Sequence, residues 1–457
     1  MYVPTLAGAE PRLQRRYHHL VVSQLSSAQH VAAGVHAPPT LADAFATTQA
    51  AWRFYGNERV GLPGLCEPLI EHARESVSRC CEQWLPTILD WSNLHYNAHA
   101  SKEDRVVLSM RNDLGYEMLT ALAVSDRDGG PIAPLCLELR AKDGVHTTRC
   151  RAVHQAPSPL DGLEPVMDHV LAQGLAKPAV FLIDREADSV AHYRRWDAGG
   201  KKFVIRANNS RQVLQEGRER SLQQVAKDLR PRLKRCRRVL YKGKPVEQCV
   251  AETIVVLNRP AYQHRVQGRG KDRGKKHKVI CGPAIALRLI VAEVRDNNGK
   301  VRACWLLMSN LPSSVSAGTI ALWYYWRWRI ESYHKLLKSA GQHIEQWRQE
   351  TAAALTRRLV VTAMTAVLVW HIARDNSPRS QQLRTTLVKL SGRQSKRSKG
   401  SRGFTEPALL AGLCVAVPMM TLLETMSVEE LKATAEEVMP LIRSIIRPRP
   451  PRRPGFV

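Results

Sequence analysis

The stretch "PAVFLID" (Pro178–Asp184) has five consecutive apolar residues and ends on a carboxylate. A continuous apolar run without alternation predicts a strand buried on both faces, as in a parallel sheet. Its neighbours agree. "LDGLEPVMDHVLAQGL" (Leu160–Leu175) carries apolar residues at helical spacing and feeds into it, and "KKFVIRAN" (Lys201–Asn208) reads as the next strand. Upstream, "GYEMLTALAVSD" (Gly115–Asp126) and "PIAPLCLELR" (Pro131–Arg140) read as paired strands joined by the turn Arg127–Gly130. Strands alternating with helices give an α/β class.

Outward from this centre the texture changes twice. Residues 1–75 read as a helical region; Thr40–Val60 has alanines and aromatics at helical spacing and breaks at Tyr55-Gly56-Asn57. Residues from about 209 to about 300 are β-rich and basic, with "RPRLKRCRRVLYKG" and "HRVQGRGKDRGKKHK" among short apolar runs, and read as an insertion or subdomain. After "ACWLLMSNLP" the chain reads as helical to its end. A basic loop at Ser391–Gly403 interrupts it, and a Pro/Arg-rich tail closes it. The expected division is 1–75, 76–345 with the insertion inside it, and 346–457.

The 457 residues carry 68 Lys and Arg against 41 Asp and Glu, a formal net charge of +27. Such an excess predicts a polyanionic partner, nucleic acid before an anionic membrane. The N-terminus has no signal-peptide core. "LVVTAMTAVLVWHIA" (Leu359–Ala373) is too short to span a bilayer and reads as a buried helix. The ten cysteines include no C-x-x-C pair, so neither a zinc site nor a disulfide framework is indicated, and a cytosolic setting is expected.

Carboxylates at strand ends are the candidates for chemistry. Asp184 ends "PAVFLID", and Asp90 ends the apolar part of "PTILDWSNL". In an α/β sheet, carboxylates at the ends of adjacent strands converge. Glu186 and Asp188 follow Asp184 in "READ" and compete with it as ligands, though they read better as surface charge on the helix that follows. A third carboxylate, Glu331, lies in "YYWRWRIESYHKLLKSAG" (Tyr324–Gly341). At about 100° per residue, Tyr324, Arg327, Glu331 and Lys338 share one helix face. Trp323, Trp326, Ile330, Tyr333 and Leu337 fall on the opposite, apolar face, and Trp328 lies beside the polar stripe. The stripe alone fits a solvated face with an Arg327–Glu331 ion pair. With Asp90 and Asp184, Glu331 would instead complete an oxygen-only site for Mg²⁺ or Mn²⁺.

These segments resemble the bacterial DDE transposases of the insertion-sequence-four family, the cut-and-paste, hairpin-forming group. Tyr324, Arg327, Glu331 and Lys338 match its Y-x2-R-x3-E-x6-K signature. "FLIDREAD" and "ILDWSNLHY" match the segments bearing its two catalytic aspartates, and "AWRFYGNERV" resembles its N-terminal end-binding domain. The resemblance spans roughly residues 10 to 350. It implies a ribonuclease-H-like core with a β-rich insertion, an N-terminal helical DNA-binding domain and a C-terminal helical region. It implies a DNA transposase in which Asp90, Asp184 and Glu331 hold two Mg²⁺ or Mn²⁺ ions. Strand nicking, hairpin formation, hairpin resolution and strand transfer would follow. Tyr324, Arg327 and Lys338 would grip phosphates, and Arg206 would stand at the active site. Trp305 would be the inserting aromatic, with Trp328 beside the flipped base. The implied partners are transposon-end and target DNA and a second copy of the chain. No membrane is expected, and the setting would be the bacterial cytoplasm, at the nucleoid. Trp91, directly after the first aspartate, departs from the family's small polar residue. Two other readings are a DNA-binding regulator that does not cut and a nuclease that does not transpose; an intact carboxylate set favours the enzyme over the regulator.

Overall fold

The computed structural model describes residues 6, 10–26, 41–110, 112–149, 158–263, 278–393 and 403–445. Three helices come first: α1 (Pro11–Ser26), α2 (Leu41–Gly56) and α3 (Leu62–Cys80). They pack against the C-terminal half of the chain. Gln342 Nε2 donates to the Gln24 carbonyl at 3.2 Å, and Arg357 donates to the carbonyls of Val60 (2.8 Å) and Tyr55 (3.0 Å).

The centre of the chain is β1 (Leu85–His95), β2 (Val106–Val107), β3 (Leu114–Val124), β4 (Pro131–Ala141), β5 (Gly144–Thr147), α4 (Leu163–Leu171), β6 (Ala179–Ile183), α5 (Val190–Ala198) and β7 (Lys202–Arg206). β1, β3 and β4 form an antiparallel meander. β6 then pairs parallel with β1, and β7 parallel with β6. All five β6 residues are buried, as its unbroken apolar run predicts. The Arg127–Gly130 turn joins β3 to β4 as expected. Gly129 sits there at φ +65, and a Cβ on it would lie 2.3 Å from the Trp326 ring, so both the turn and the packing require glycine.

The β-rich stretch comprises β8 (Gln212–Gln215), β9 (Arg218–Ser221), α6 (Leu222–Leu229), β10 (Lys234–Tyr241), β11 (Lys244–Leu257), β12 (Ala261–Gln263), β13 (Lys278–Ile280), β14 (Ile285–Arg295) and β15 (Val301–Ser309). Most of it is not a separate sheet. β15 pairs with β7 on one side and β14 on the other, and the ladder runs on through β11 to β10, giving one 13-stranded sheet. Among the described residues only β12 and β13 pair apart from it. The basic run at 264–277 lies outside the described residues.

α7 (Ala317–Trp326) and α8 (Trp328–Leu337) follow, then α9 (Ala352–Arg374), α10 (Pro378–Leu390), α11 (Glu406–Thr425) and α12 (Val428–Ile445). Ser316 caps α7 by accepting from Thr319 N at 3.1 Å. By length and composition α9 and α11 would each reach across a membrane; α9, however, is a largely buried core helix under β4 and α3. α11 leaves Val415, Met419, Met420, Leu422 and Leu423 exposed. Most of the basic loop (394–402) and the tail from 446 onward lie outside the described residues.

Candidate active site

Strand register places the first two carboxylates. Leu89 pairs with Ile183 across the parallel β1–β6 ladder, so the next residues, Asp90 and Asp184, stand side by side. The two strands behave differently there. β6 stops, and Asp184 caps a short 3₁₀ turn by accepting from Glu186 N at 2.8 Å. β1 does not stop at Asp90, as the sequence suggested; it runs on to His95, paired with β3 throughout.

The signature stretch supplies the third carboxylate. It is not one uninterrupted helix. At Arg327 the hydrogen-bond ladder tightens to i−3, with Arg327 N on the Tyr324 carbonyl (3.1 Å) and Ile330 N on the Arg327 carbonyl (3.2 Å). Arg327 is held at this junction and points into the cleft. Its Nη1 donates to Asp90 Oδ2 at 3.2 Å, and its Nη2 to Glu331 Oε1 at 2.9 Å. The guanidinium therefore bridges the β1 and α8 carboxylates. The solvated-face reading holds only in part: the Arg327–Glu331 pair forms, but Arg327 is buried.

The remaining signature residues surround this bridge. Tyr324 is buried, and burial pushes its phenol up to about 12 against the opposing pull of Arg327 and Arg206. Arg206 ends β7 opposite Leu307 of β15. Lys338 ends α8; its ammonium donates to the Asn93 carbonyl of β1 and lies 3.6 Å from Glu345. Trp305 on β15 is only 5% exposed and lies against Tyr324, ring centres 6.0 Å apart. Trp328 is 45% exposed, with the Arg327 guanidinium 5.8 Å from its ring centre. It faces an open groove of about 680 Å³, shared with Arg238, Tyr241, Lys242, Tyr325 and Arg329.

The cleft itself has a volume of about 500 Å³ and is lined by Asp90, Trp91, Asp184, Glu186, Arg327, Glu331, His334, Lys335 and Lys338. Its carboxylates act on one another. Burial, reinforced by the charges of Asp184 and Glu331, pushes Asp90 up to about 7 although Arg327 opposes the shift. Glu331 is raised by burial, with Asp184 adding to it and Arg327 opposing. Three oxygen donors in one cleft suit a hard divalent cation. Among the described residues no three His, Cys, Asp or Glu side chains are grouped to hold an ion as they stand; Arg327 is the cation bridging two of them.

Two residues were not anticipated. His334 lies one helical turn after Glu331, is 7% exposed and has no partner for Nε2 among the described residues. Burial, then Lys338 and Arg327, drive its imidazole down to about 3, so it is neutral at working pH. The E-x-x-H spacing was the available signal, since i and i+3 share a helix face. The Asp188 side chain, read as surface charge, is fully buried instead. It accepts from Tyr193 OH (2.9 Å), Asn208 N (2.8 Å) and Arg211 Nε (3.1 Å), and so ties the loop after Asp184 to the end of β7.

Asp90 predicts a pH dependence. Its native value of about 7 lies above the ordinary 3.8, so between pH 4 and 7 the folded chain binds the proton more tightly than the unfolded chain. The metal-free protein therefore loses stability as pH rises through that window, and the loss levels off above it. Asp90→Asn removes this contribution. Urea unfolding without divalent ions should show the variant gaining on the wild type from pH 4 to pH 7, by on the order of a few kcal/mol. A gap that stays constant across the window would mean that Asp90 does not carry the shift.

Residues 150–368 match the family model described as the transposase DDE domain. The match takes in Asp184 and Glu331; Asp90 lies before it and joins them through the β1–β6 register. No curated protein matches the chain. Among solved structures, a piggyBac transposase synaptic complex with hairpin DNA aligns over 100% of this chain and 80% of that one, at 10% identity and a TM-score of 0.35, a likeness too distant to bear on fold or chemistry. The domain match supports a transposase of the DDE type.

Proposed function

We propose that this protein is a transposase of the insertion-sequence-four type that nicks the ends of its element, passes through a hairpin and joins the freed ends to target DNA. The observation that carries the reading is the convergence of Asp90, Asp184 and Glu331 from two adjacent strands and one helix, inside or beside the stretch matched to the DDE domain. The order of β4, β3, β1, β6 and β7, three antiparallel strands followed by two parallel ones, supports a ribonuclease-H-like core.

Asp90, Asp184 and Glu331 would hold Mg²⁺ or Mn²⁺, two ions in this reading. When bound, such ions activate water and neutralise charge on a phosphate undergoing in-line displacement. The chain's own residues do the rest. Arg327, freed from its carboxylates, has the planar fork that grips a phosphate through two hydrogen bonds. Tyr324, protonated at neutral pH, offers a phenol proton to a phosphate oxygen. Lys335 and Lys338 keep the cleft mouth cationic. The Trp328 groove offers an aromatic face and flanking cations to a base pulled out of the stack, and the exposed Trp328 is better placed for this than the buried Trp305.

Duplex recognition falls to the N-terminal helices. Arg12, Arg15 and Arg16 of α1 share a groove of about 600 Å³ with Arg53 and Arg59. Among the described residues no carboxylate pairs with Arg12, Arg15, Arg16 or Arg59. Each arginine that neutralises a phosphate releases about one counter-ion. Replacing Arg12 and Arg16 together by Ala should therefore lower the slope of log K against log salt by about 2. A binding titration on end DNA at several salt concentrations measures this; an unchanged slope would move recognition elsewhere. Sedimentation of the same complexes counts protomers, and the exposed apolar face of α11 supports two copies. A nicking assay on DNA carrying the element's ends, with Mg²⁺, tests the activity. Tight, end-specific binding with no cutting would instead make the chain a regulator.

A further inference from the structure

Building on the transposase reading above, we infer that Arg327 is a built-in counter-ion that keeps the acidic site closed until a DNA phosphate draws it away, so that DNA binding and divalent-cation binding are coupled through one guanidinium. Arg327 donates to Asp90 Oδ2 and Glu331 Oε1 at 3.2 and 2.9 Å. Those oxygens belong to two of the three carboxylates that would hold an ion. A guanidinium has donors and no acceptor, so it and a metal ion compete for the same lone pairs. Among the described residues, Arg327 is the cation bonded to these carboxylates. Lys338 is taken up by the Asn93 carbonyl and Glu345, and Asp184 accepts from Glu186 N.

The bridge is fixed in place. Arg327 sits at the tightened junction of α7 and α8, one turn from Glu331, with its side chain 11% exposed. It is also incomplete. At the bridge itself one guanidinium faces three carboxylates, so the inner cleft keeps an excess of negative charge behind the lysines at its mouth. Glu331, 41% exposed, stands on the open side. A phosphate arriving there offers the guanidinium a paired acceptor in exchange for two separate ones. Once Arg327 turns to it, Asp90 and Glu331 are free. By linkage, whatever factor DNA gives to metal affinity, metal returns to DNA affinity.

The test is Mn²⁺ binding by the full-length protein at pH 8, measured by calorimetry and electron paramagnetic resonance with no cleavable DNA present. Arg327→Gln should bind Mn²⁺ on the order of tenfold more tightly than the wild type, and Arg327→Lys, whose shorter side chain lacks the planar fork and holds both carboxylates less well, should fall between them. A pre-cleaved end duplex lacking its 3′-hydroxyl, and so unable to react further, should tighten wild-type binding more than it tightens Arg327→Gln. The melting temperature of Arg327→Gln should rise more with added Mn²⁺ than that of the wild type, which separates the effect from loss of fold. Equal or weaker Mn²⁺ binding by Arg327→Gln without DNA overturns the inference and leaves the transposase reading standing. If no form binds Mn²⁺, with or without the duplex, both fall.

Discussion

Glu331→Ala should cut no DNA end while still binding one. Loss of a carboxylate proposed to hold the catalytic ion is expected to slow the first nick at least a thousandfold, about 4 kcal/mol of transition-state stabilisation. Binding should change little, because affinity for a polyanion comes from cations spread over the surface and from the arginine groove of α1 and α2. It should even strengthen slightly, since the substitution removes one acceptor from Arg327 and leaves its Nη2 free for phosphate. The measurement is a gel time course on an end duplex with Mg²⁺, beside a binding titration at the same salt. Asp184→Ala should match it in rate. Full nicking by Glu331→Ala would end the assignment of the site; parallel loss of binding and nicking would point to misfolding.

Trp328→Ala and Trp305→Ala should fail in different ways. Unstacking a base costs a few kcal/mol, and an aromatic platform returns roughly 1–3 kcal/mol of it. Removing the exposed Trp328 should spare the first nick and slow hairpin closure by about ten- to a hundredfold, so that nicked DNA accumulates. Trp305 is buried against Tyr324. Its truncation opens a cavity beneath the signature residues, costing about 3–5 kcal/mol of stability and slowing every step alike. A denaturing gel that resolves nick, hairpin and resolved end distinguishes the two, with a melting curve for each variant. If Trp305→Ala proved selective for the hairpin at unchanged stability, the platform would belong to Trp305 after all.

The sequence made some of this plain for identifiable reasons. β6 is a continuous apolar run, a pattern that burial on both faces explains, and Asp184 stands out because it follows directly on that run. β1 was read too short because its second half, "DWSNLH", borders the cleft, and polar residues on a functional edge erase the alternation that marks a strand. The break at Arg327 was hidden by the good helical periodicity on either side of it. Asp188 looked like surface charge because its partners, Tyr193, Asn208 and Arg211, are brought to it by folding. The continuity of the β-rich stretch with the central sheet was out of reach, since strand pairing across long separations leaves no local trace.

That continuity bears on where work is done. From Asp90 an unbroken hydrogen-bonded ladder passes through β6, β7, β15, β14 and β11 to β10, whose Tyr241 walls the Trp328 groove. A packed sheet of this kind resists shear, while a duplex bends at a cost of only a few kcal/mol and kinks readily at soft steps. In the proposed function, carboxylates and groove would thus form an anvil of fixed span, with the nucleic acid as the compliant member of the complex. How readily a given end is processed would then follow the flexibility of its terminal base steps, including bases that no side chain touches.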